Sequence, residues 1–429
     1  MSDLNDGAGR PVGVVLATAG RDASMSGAAE RAAGPVIAVD CNGADLGPAE
    51  VAAGALLAAD LGANTILFGP AAELGPVVAG VVTAGASAAR RGSIEIVDAP
   101  VSIAKDRDPA RAARNRPDAS IVQAARAVAD GRAQALVCAG GTGAALAAGL
   151  FNIKRARGIH RPALALPLPV PGRPVTLLDV GANAQARSEH LEQFAFMGSA
   201  LARAVLGVER PRVGLLSNGE EAGRGSPLVV EAHERLRART NGAEEAATGG
   251  AVANAAAGGA ALIGTPADGA PMTRGLAVRP AFELVGNVEG NDLVSGAADV
   301  IVTDGLTGNV ALKVMEGVSQ TLLGAIREAA MTSAKSKLGG LLLRPALAGL
   351  RAEIDPEAQG GAYLLGLRSL AVVPHGAFRR RGFAQAILRA QLGAEQDVVG
   401  VTNAGLAAAG ALRRAPMSAS AASLLADDA

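Results

Sequence analysis

Residues 35–70 read PVIAVDCNGADLGPAEVAAGALLAADLGANTILFGP, and the order of residue types in this stretch decides the fold class. Val36–Asp40 is a short apolar, β-branched run, which predicts a strand, and CNGADLGP after it is a glycine-rich turn. Residues 49–61 have helical composition, and Thr65–Phe68 is a second strand closed by Gly69-Pro70. Strand, glycine turn, helix, strand is the βαβ unit, which lays two strands parallel beneath a crossover helix. The same grammar continues outward. Strands are predicted at Ile94–Val97, Leu136–Cys138, Thr176–Asp179, Val213–Leu216, Leu284–Val285 and Val300–Thr303. Helices are predicted at Ser120–Asp130, Glu189–Leu206 and Val310–Ala329, and Val12–Leu16 is a candidate strand upstream. An α/β fold with a mostly parallel sheet follows. Polar, Gly-containing clusters follow the C-terminal ends of the strands, the edge at which open α/β sheets bind ligands.

Composition narrows the function classes. The chain has 429 residues, enough for one large α/β domain with insertions or for two domains. Its 49% hydrophobic content supplies a sizeable core and excludes a wholly disordered chain. Forty basic and forty acidic residues cancel, and aromatics are only 2%, so neither broad electrostatic nucleic-acid binding nor base stacking is expected. Cys41 and Cys138 are too few for a metal cage or a disulfide scaffold. The first ten residues are polar, and no uncharged apolar run is long enough to span a bilayer, so a soluble cytoplasmic protein is the default expectation. Residues 1–34 read as an N-terminal extension, 35–400 as the α/β domain and 401–429 as a tail. Residues 238–280 read as a flexible Ala/Gly-rich insertion.

The strand-end clusters carry the candidate chemistry. AGGTGAA, with Gly141, Thr142 and Gly143, offers backbone N–H groups at a helix start, where an anion is favoured; a plain tight turn is the alternative. DGLTGN offers Gly305, Thr307 and Gly308 in the same way. Thr307 and Asn309 can also cap the following helix, and Lys313 stands one turn beyond Asn309. SNGEEAGRG sets Asn218, Glu220, Glu221 and Arg224 in a glycine loop, suited to proton transfer or oxyanion binding, or to plain solvation. Asp179 and Asn183 end another strand, and Asn287, Glu289 and Asn291 follow the next; these can bond a carbonyl or phosphate, or form Asx turns. His375 reads as structural, and His160, His190 and His233 show no metal-ligand spacing. KSKLGGLLLRPALAGLRA, residues 335–352, is a basic amphipathic segment with Leu338, Leu341, Leu342 and Leu347. It can lie in a membrane interface or pack as a helix hairpin, and Pro345 is expected to kink it.

Taken in order, VDCNGADLGP, CAGGTGA, LLDVGAN, FAFMGSALA, LLSNGEEAGRG, VGNVEGNDL, VIVTDGLTGNVALKVMEG and QGGAYLLGL followed by HG resemble the PlsX-type acyl-acyl carrier protein:phosphate acyltransferases, from about Val36 to Leu392. The resemblance implies a three-layer α/β/α sandwich, similar to isocitrate and isopropylmalate dehydrogenases, and a homodimer. It implies transfer of a fatty acyl group from acyl carrier protein to inorganic phosphate for phospholipid synthesis, with no cofactor and no metal. A downstream glycerol-3-phosphate acyltransferase would use the product. It further implies peripheral membrane contact through residues 335–352. Three departures stand out. The first motif reads Asp40-Cys41-Asn42-Gly43-Ala44-Asp45, Gly141 replaces an Asn, and Arg224 replaces a Lys.

The reaction needs a dianion beside an acyl carbonyl and donors for a tetrahedral oxyanion. The turns 140–144 and 305–309 are the candidate phosphate cradle. Asn183, Asn218 and Asn309, with Glu220, Arg224 and Lys313, are the candidate catalytic groups, and Asn287 is a further oxyanion donor. Arg344 and Arg379–Arg381 are candidates for meeting the acidic carrier protein. Alternatives are a phosphate acetyl- or butyryltransferase using coenzyme A thioesters, a decarboxylating dehydrogenase, and a non-catalytic membrane-associated scaffold.

Overall fold

Alternation along the strands organises the molecule. Ile37 and Val39 face one hydrophobic cluster while Ala38 faces another, and Leu67 is likewise separated from Ile66 and Phe68. A strand with both faces buried needs helices on both sides. The computed structural model describes residues 15–17, 34–82, 92–168, 170, 175–240, 282–353 and 355–413.

Among the described residues twelve strands form one sheet: β1 (Val15–Ala17), β2 (Val36–Asp40), β3 (Asn64–Gly69), β4 (Ile94–Asp98), β5 (Ala135–Cys138), β6 (Ala163–Leu168), β7 (Val175–Leu178), β8 (Arg212–Leu216), β9 (Glu283–Val288), β10 (Val300–Val302), β11 (Ala362–Leu365) and β12 (Leu370–Val373). The first face is covered by α1 (Pro48–Asp60), α2 (Ala71–Val82), α6 (Ser188–Leu206), α7 (227–240), α12 (Arg380–Glu395) and α13 (Val398–Ala408). The second is covered by α3 (Pro109–Asn115), α4 (Ser120–Ala129), α5 (Thr142–Ala148) and α8 (Asp292–Ser295). The three-layer expectation therefore holds. A one-turn π-helix, Gly149–Ile153, extends α5.

The strand order is β1-β4-β3-β2-β5-β12-β11-β6-β7-β10-β8-β9. All pairings are parallel except β12–β11, β11–β6 and β6–β7. Three successive reversals leave two parallel blocks running in opposite directions. The C-terminal ends of β2, β3, β4, β5 and β12 lie on one edge of the sheet, and those of β7, β8, β9 and β10 lie on the other. The linking strands β6, β11 and β12 are almost wholly apolar, with no polar–apolar alternation, so the residue pattern did not announce them.

Two long helices stand away from these layers. α9 (Gly305–Met331) has 27 residues, about 40 Å of helix at ~1.5 Å per residue. α10 (Ala334–Glu353) returns against it and stays a single helical element through Pro345, where a kink was expected. Val310, Val314, Val318, Leu322 and Ile326, at four-residue spacing on α9, are all exposed, as are Leu338, Leu341, Leu342 and Leu343 on α10. The side chain of Leu347 lies outside the described residues.

The domain limits also shift. Helix α13 carries the chain past residue 400 and buries Thr402 and Leu406, so the structured domain reaches at least Arg413. Of the expected extension only β1 is described, pairing parallel to β4. Apart from residues 238–240, which end α7, the Ala/Gly-rich segment lies outside the described residues.

Candidate active site

Four consecutive strands, β7, β10, β8 and β9, deliver their C-terminal loops to one sheet edge. These loops carry Asn183, Asn218, Glu220 and Arg224, and the start of α9 carries Gly305, Thr307, Gly308 and Asn309, with Lys313 one turn beyond Asn309. Nine of the twelve residues expected for catalysis or phosphate binding thus share an edge. Gly141, Thr142 and Gly143 do not. They follow β5, five strand spacings from β10 and on the opposite edge, so the two turns stand at least ~24 Å apart and cannot enclose one phosphate within a chain. The joint cradle is corrected on this point: three antiparallel pairings between β5 and β10 reverse the direction of the second block.

The edge is built around Asp179, fully buried at the end of β7. Its carboxylate accepts from the backbone N–H groups of Leu164 (3.1 Å), Gly181 (3.3 Å), Ala182 (2.9 Å) and Asn183 (2.8 Å), and from the Asn183 side chain (2.8 Å). Burial pushes this carboxyl up against the opposing pull of those donors. The Asn183 amide donates also to the Pro162 carbonyl at 2.7 Å. Both its N–H bonds are then engaged, and a buried Asn183 has no donor left for an oxyanion. Asn287 is in the same position: its amide donates to the carbonyls of Glu221 (2.8 Å) and Arg224 (3.2 Å), pinning the glycine loop after β8.

The start of α9 is packed directly on this loop. A Cβ on Gly308 would stand 2.0 Å from the Asp179 carbonyl oxygen, and one on Gly305 would stand 2.8 Å from the Asn183 backbone. These glycines serve close approach. Their amides are also occupied. Gly305 N–H donates to the Asn183 carbonyl, the N–H groups of Leu306 and Thr307 donate to the Asp304 carboxylate, and Gly308 N–H donates to the Asp304 carbonyl. Thr307 Oγ1 donates to the same carboxylate at 2.6 Å. Asp304 is therefore the cap, in place of the expected Thr307 and Asn309, and holds the position an anion would take; Gly305, Thr307 and Gly308 are first-turn residues whose amides are already engaged.

Four side-chain types remain exposed on the edge. The carboxamides of Asn218 and Asn309 are on exposed residues and make no hydrogen bond among the described residues; Asn309 lies 3.9 Å from the Cβ position of Gly181. Arg224 pairs with Glu221 at 3.4 Å and Lys313 with Glu316 at 2.7 Å, both pairs exposed. Glu220 is exposed and in no ion pair among the described residues.

The opposite edge holds a second polar centre, most of which the sequence reading did not assemble. The Asp40 carboxylate at the end of β2 accepts from Ser120 Oγ (2.6 Å), from Asn42 N–H (3.2 Å) and from the Cys138 thiol (3.7 Å). Burial pushes its pKa up to about 7, against the pull of these donors. Burial also holds the Cys41 and Cys138 thiols well above their ordinary values, which keeps them protonated and un-nucleophilic. Above this network Gly43, Gly140 and Gly141 interlock. A Cβ on Gly141 would stand 3.0 Å from Ala104 Cα and 3.1 Å from its carbonyl oxygen. The glycine that replaces the family's Asn is fitted to a close approach of Ala104. A cavity of ≈460 Å³ bounded by Gly43, Ser102 and Lys105 opens beside this turn. His375 is exposed and accepts from Ala377 N–H, a turn contact.

Asp40 sets a pH dependence. Its native pKa lies above the unfolded value near 4, so the stability it contributes is complete below about pH 4 and lost as pH rises through 7. The loss is on the order of 3–4 kcal/mol. Urea denaturation should therefore give a decline from pH 5 to pH 8 that Asp40→Asn flattens. An equal slope in the variant would remove Asp40 as its origin.

The structure also gathers His160, Glu189 and His190, which their sequence spacing did not suggest. One ligand atom from each lies within 4.8 Å of the others. The arrangement suits a cation poorly. The Arg187 N–H donates to His190 Nδ1, which places the ring proton on Nε2. Burial lowers the pKa of both rings against the opposing pull of Glu189, and the positive charges of Arg413 and Arg155 beside His160, and of Arg161 and Arg187 beside His190, would repel a bound cation.

The profile of a family described as "Fatty acid synthesis protein" matches residues 36–252 and 272–400. The chain is 38% identical over 364 residues to a phosphate acyltransferase of Heliobacterium modesticaldum, covering 85% of this chain and 95% of that protein. It is 39% identical over 354 residues to one of Gloeobacter violaceus, covering 82% and 90%. Among solved structures, a phosphotransacetylase from Streptococcus pyogenes aligns with TM-score 0.48 at 16% identity, over 84% of this chain and 94% of that one. EutD phosphotransacetylase from Staphylococcus aureus aligns with TM-score 0.47 at 14% identity, over 85% and 96%. The chain belongs to the PlsX-type phosphate acyltransferase family.

Proposed function

We propose that this protein transfers a long-chain acyl group from acyl carrier protein to inorganic phosphate. The acyl phosphate formed would feed a glycerol-3-phosphate acyltransferase in phospholipid synthesis. Family membership supports the reaction class. The observation that carries the site assignment is the placement of two unengaged carboxamides, Asn218 and Asn309, with two cations, Arg224 and Lys313, on the edge organised by Asp179.

In this reading a phosphate oxygen attacks the thioester carbonyl carbon, giving a tetrahedral oxyanion. The C–S bond then breaks, and the carrier thiolate leaves and takes up a proton. Asn218 and Asn309 donate to the oxyanion. Arg224 and Lys313 hold the phosphate after release from Glu221 and Glu316. Exposed ion pairs of this kind are worth only ~0–1 kcal/mol, so a dianion displaces them readily. Direct transfer needs no acyl-enzyme, which accords with two buried, protonated cysteines.

In this reading the hairpin serves as a homodimer contact and a peripheral membrane contact, supported by the exposed apolar stripe of α9 and the exposed leucines of α10. No helix among the described residues is long and apolar enough to cross a bilayer. Because Leu341 and Leu342 are exposed, Leu341→Asp/Leu342→Asp should leave the fold intact and reduce sedimentation with anionic vesicles by about tenfold. Undiminished vesicle binding by a folded variant would exclude the exposed leucines of α10 as the membrane contact.

The deciding assay is acyl phosphate formation from palmitoyl-acyl carrier protein and inorganic phosphate, with acyl-coenzyme A run in parallel. Phosphate-dependent turnover of the carrier thioester is expected. Turnover restricted to short acyl-coenzyme A would establish the phosphotransacetylase alternative, and none with either donor would leave a scaffold.

A further inference from the structure

No Asp or Glu occurs between Asp130 and Asp179, and within this acid-free stretch lies LFNIKRARGIHR, residues 150–161. Ile153, Ala156 and Ile159 are buried, which turns Lys154, Arg155, Arg157 and Arg161 outward. None of these four is in an ion pair among the described residues. Arg155 instead donates to the carbonyls of Ile159 and His160, which fixes the turn and leaves its charge uncompensated. Together with Arg413, three of them line an open cleft of ≈990 Å³ whose wall is completed by Ile159 and Leu412, with no carboxylate in its lining. One wall carries a polar vacancy: the Asn403 side-chain oxygen is buried without a hydrogen-bond partner.

The chain links the cleft to the proposed catalytic edge. Residues 154–161 lead directly into β6, whose first turn is tied to the Asp179 loop by Leu164 N–H to Asp179 and by Asn183 to the Pro162 carbonyl. Arg379 and Arg381, at the start of α12, follow β12 and so lie on the other edge, while Arg380 is held by both oxygens of Glu50. The volume exceeds what a lone phosphate fills and is at the upper end for a small-molecule site.

We propose that the 154–161 turn and Arg413 form the docking surface for an acidic acyl carrier protein. The carrier's carboxylate-bearing helix would lie on the arginines, and its phosphate-bearing arm would pass toward the Asp179 edge. This inference rests on the carrier-protein reading above. Uncompensated cations around an apolar floor recruit an acidic partner by steering, and its binding weakens as salt rises.

The test is direct binding of fluorescently labelled holo-acyl carrier protein to the full-length protein, read by anisotropy at two salt concentrations. Arg157→Glu/Arg413→Glu should weaken binding at least about tenfold, and Arg157→Lys/Arg413→Lys should largely restore it, with thermal unfolding confirming both folds. Unchanged affinity in the charge-reversed protein would overturn the inference. So would weakening only in Arg379→Glu/Arg381→Glu, tighter binding after removal of residues 414–429 without dependence on Arg157, or no carrier binding by the wild type. Carrier binding at the cleft without acyl phosphate formation would instead defeat the proposed reaction and leave the docking surface standing.

Discussion

Asp179→Ala is expected to lower the unfolding free energy by about 3–5 kcal/mol, in the range seen when a buried, multiply hydrogen-bonded charge is removed. Five N–H donors converge on this carboxylate, four from backbone and one from Asn183. Truncation leaves all of them facing a dry space that water fills poorly. The damage spreads, because the Asp179 carbonyl is the surface against which Gly308 is packed. Gly308→Ala should therefore reproduce part of the loss without touching the carboxylate, since its Cβ can be accommodated only by moving α9 off the loop. Urea denaturation monitored by circular dichroism measures both. A loss under about 1 kcal/mol in Asp179→Ala would show that the loop holds without its central acceptor.

Asn309→Ala should leave stability within about 0.5 kcal/mol, because the side chain is exposed and unbonded. Its expected effect is on the chemistry. Removing one oxyanion donor typically lowers kcat by ~10²–10³-fold, and a donor used only in the transition state changes KM little. Steady-state acyl phosphate formation at saturating phosphate separates the two parameters. A kcat within threefold of wild type would transfer the donor role to Asn218 alone. A raised KM for phosphate with kcat preserved would make Asn309 a ground-state phosphate ligand. By contrast, Asn183→Ala and Asn287→Ala should act mainly through stability, since both carboxamides are already engaged by the protein.

The four asparagines show where residue-by-residue reading stops. In sequence each sits in a polar glycine loop after a strand, and nothing local separates the two that brace loops from the two that are free. The difference is made by partners distant in the chain: Pro162 for Asn183, and Glu221 with Arg224 for Asn287. The same holds for DGLTGN, where Thr307 and Asn309 were expected to cap the helix but Asp304 does so, and where the jam of Gly308 against Asp179 had no local sign. The Asp40 centre depends on Ser120, 80 residues away.

By itself the sequence determined the α/β class, the positions of most strands and helices, the glycine loops at strand ends and the family resemblance. All of these rest on short-range patterns: alternation, turn residues, caps and motif order. Only the tertiary structure decided the direction of the second strand block, and with it the separation of the 140–144 turn from the α9 edge. That reversal is made by β6, β11 and β12, whose pairings join residues 163–168 to 362–365 across the chain. Such pairing is a property of which edges are left to be covered once the local units have formed, and no local pattern encodes it. The basic cleft has the same origin: Arg157 and Arg413 face one space because α13 packs beside the turn before β6.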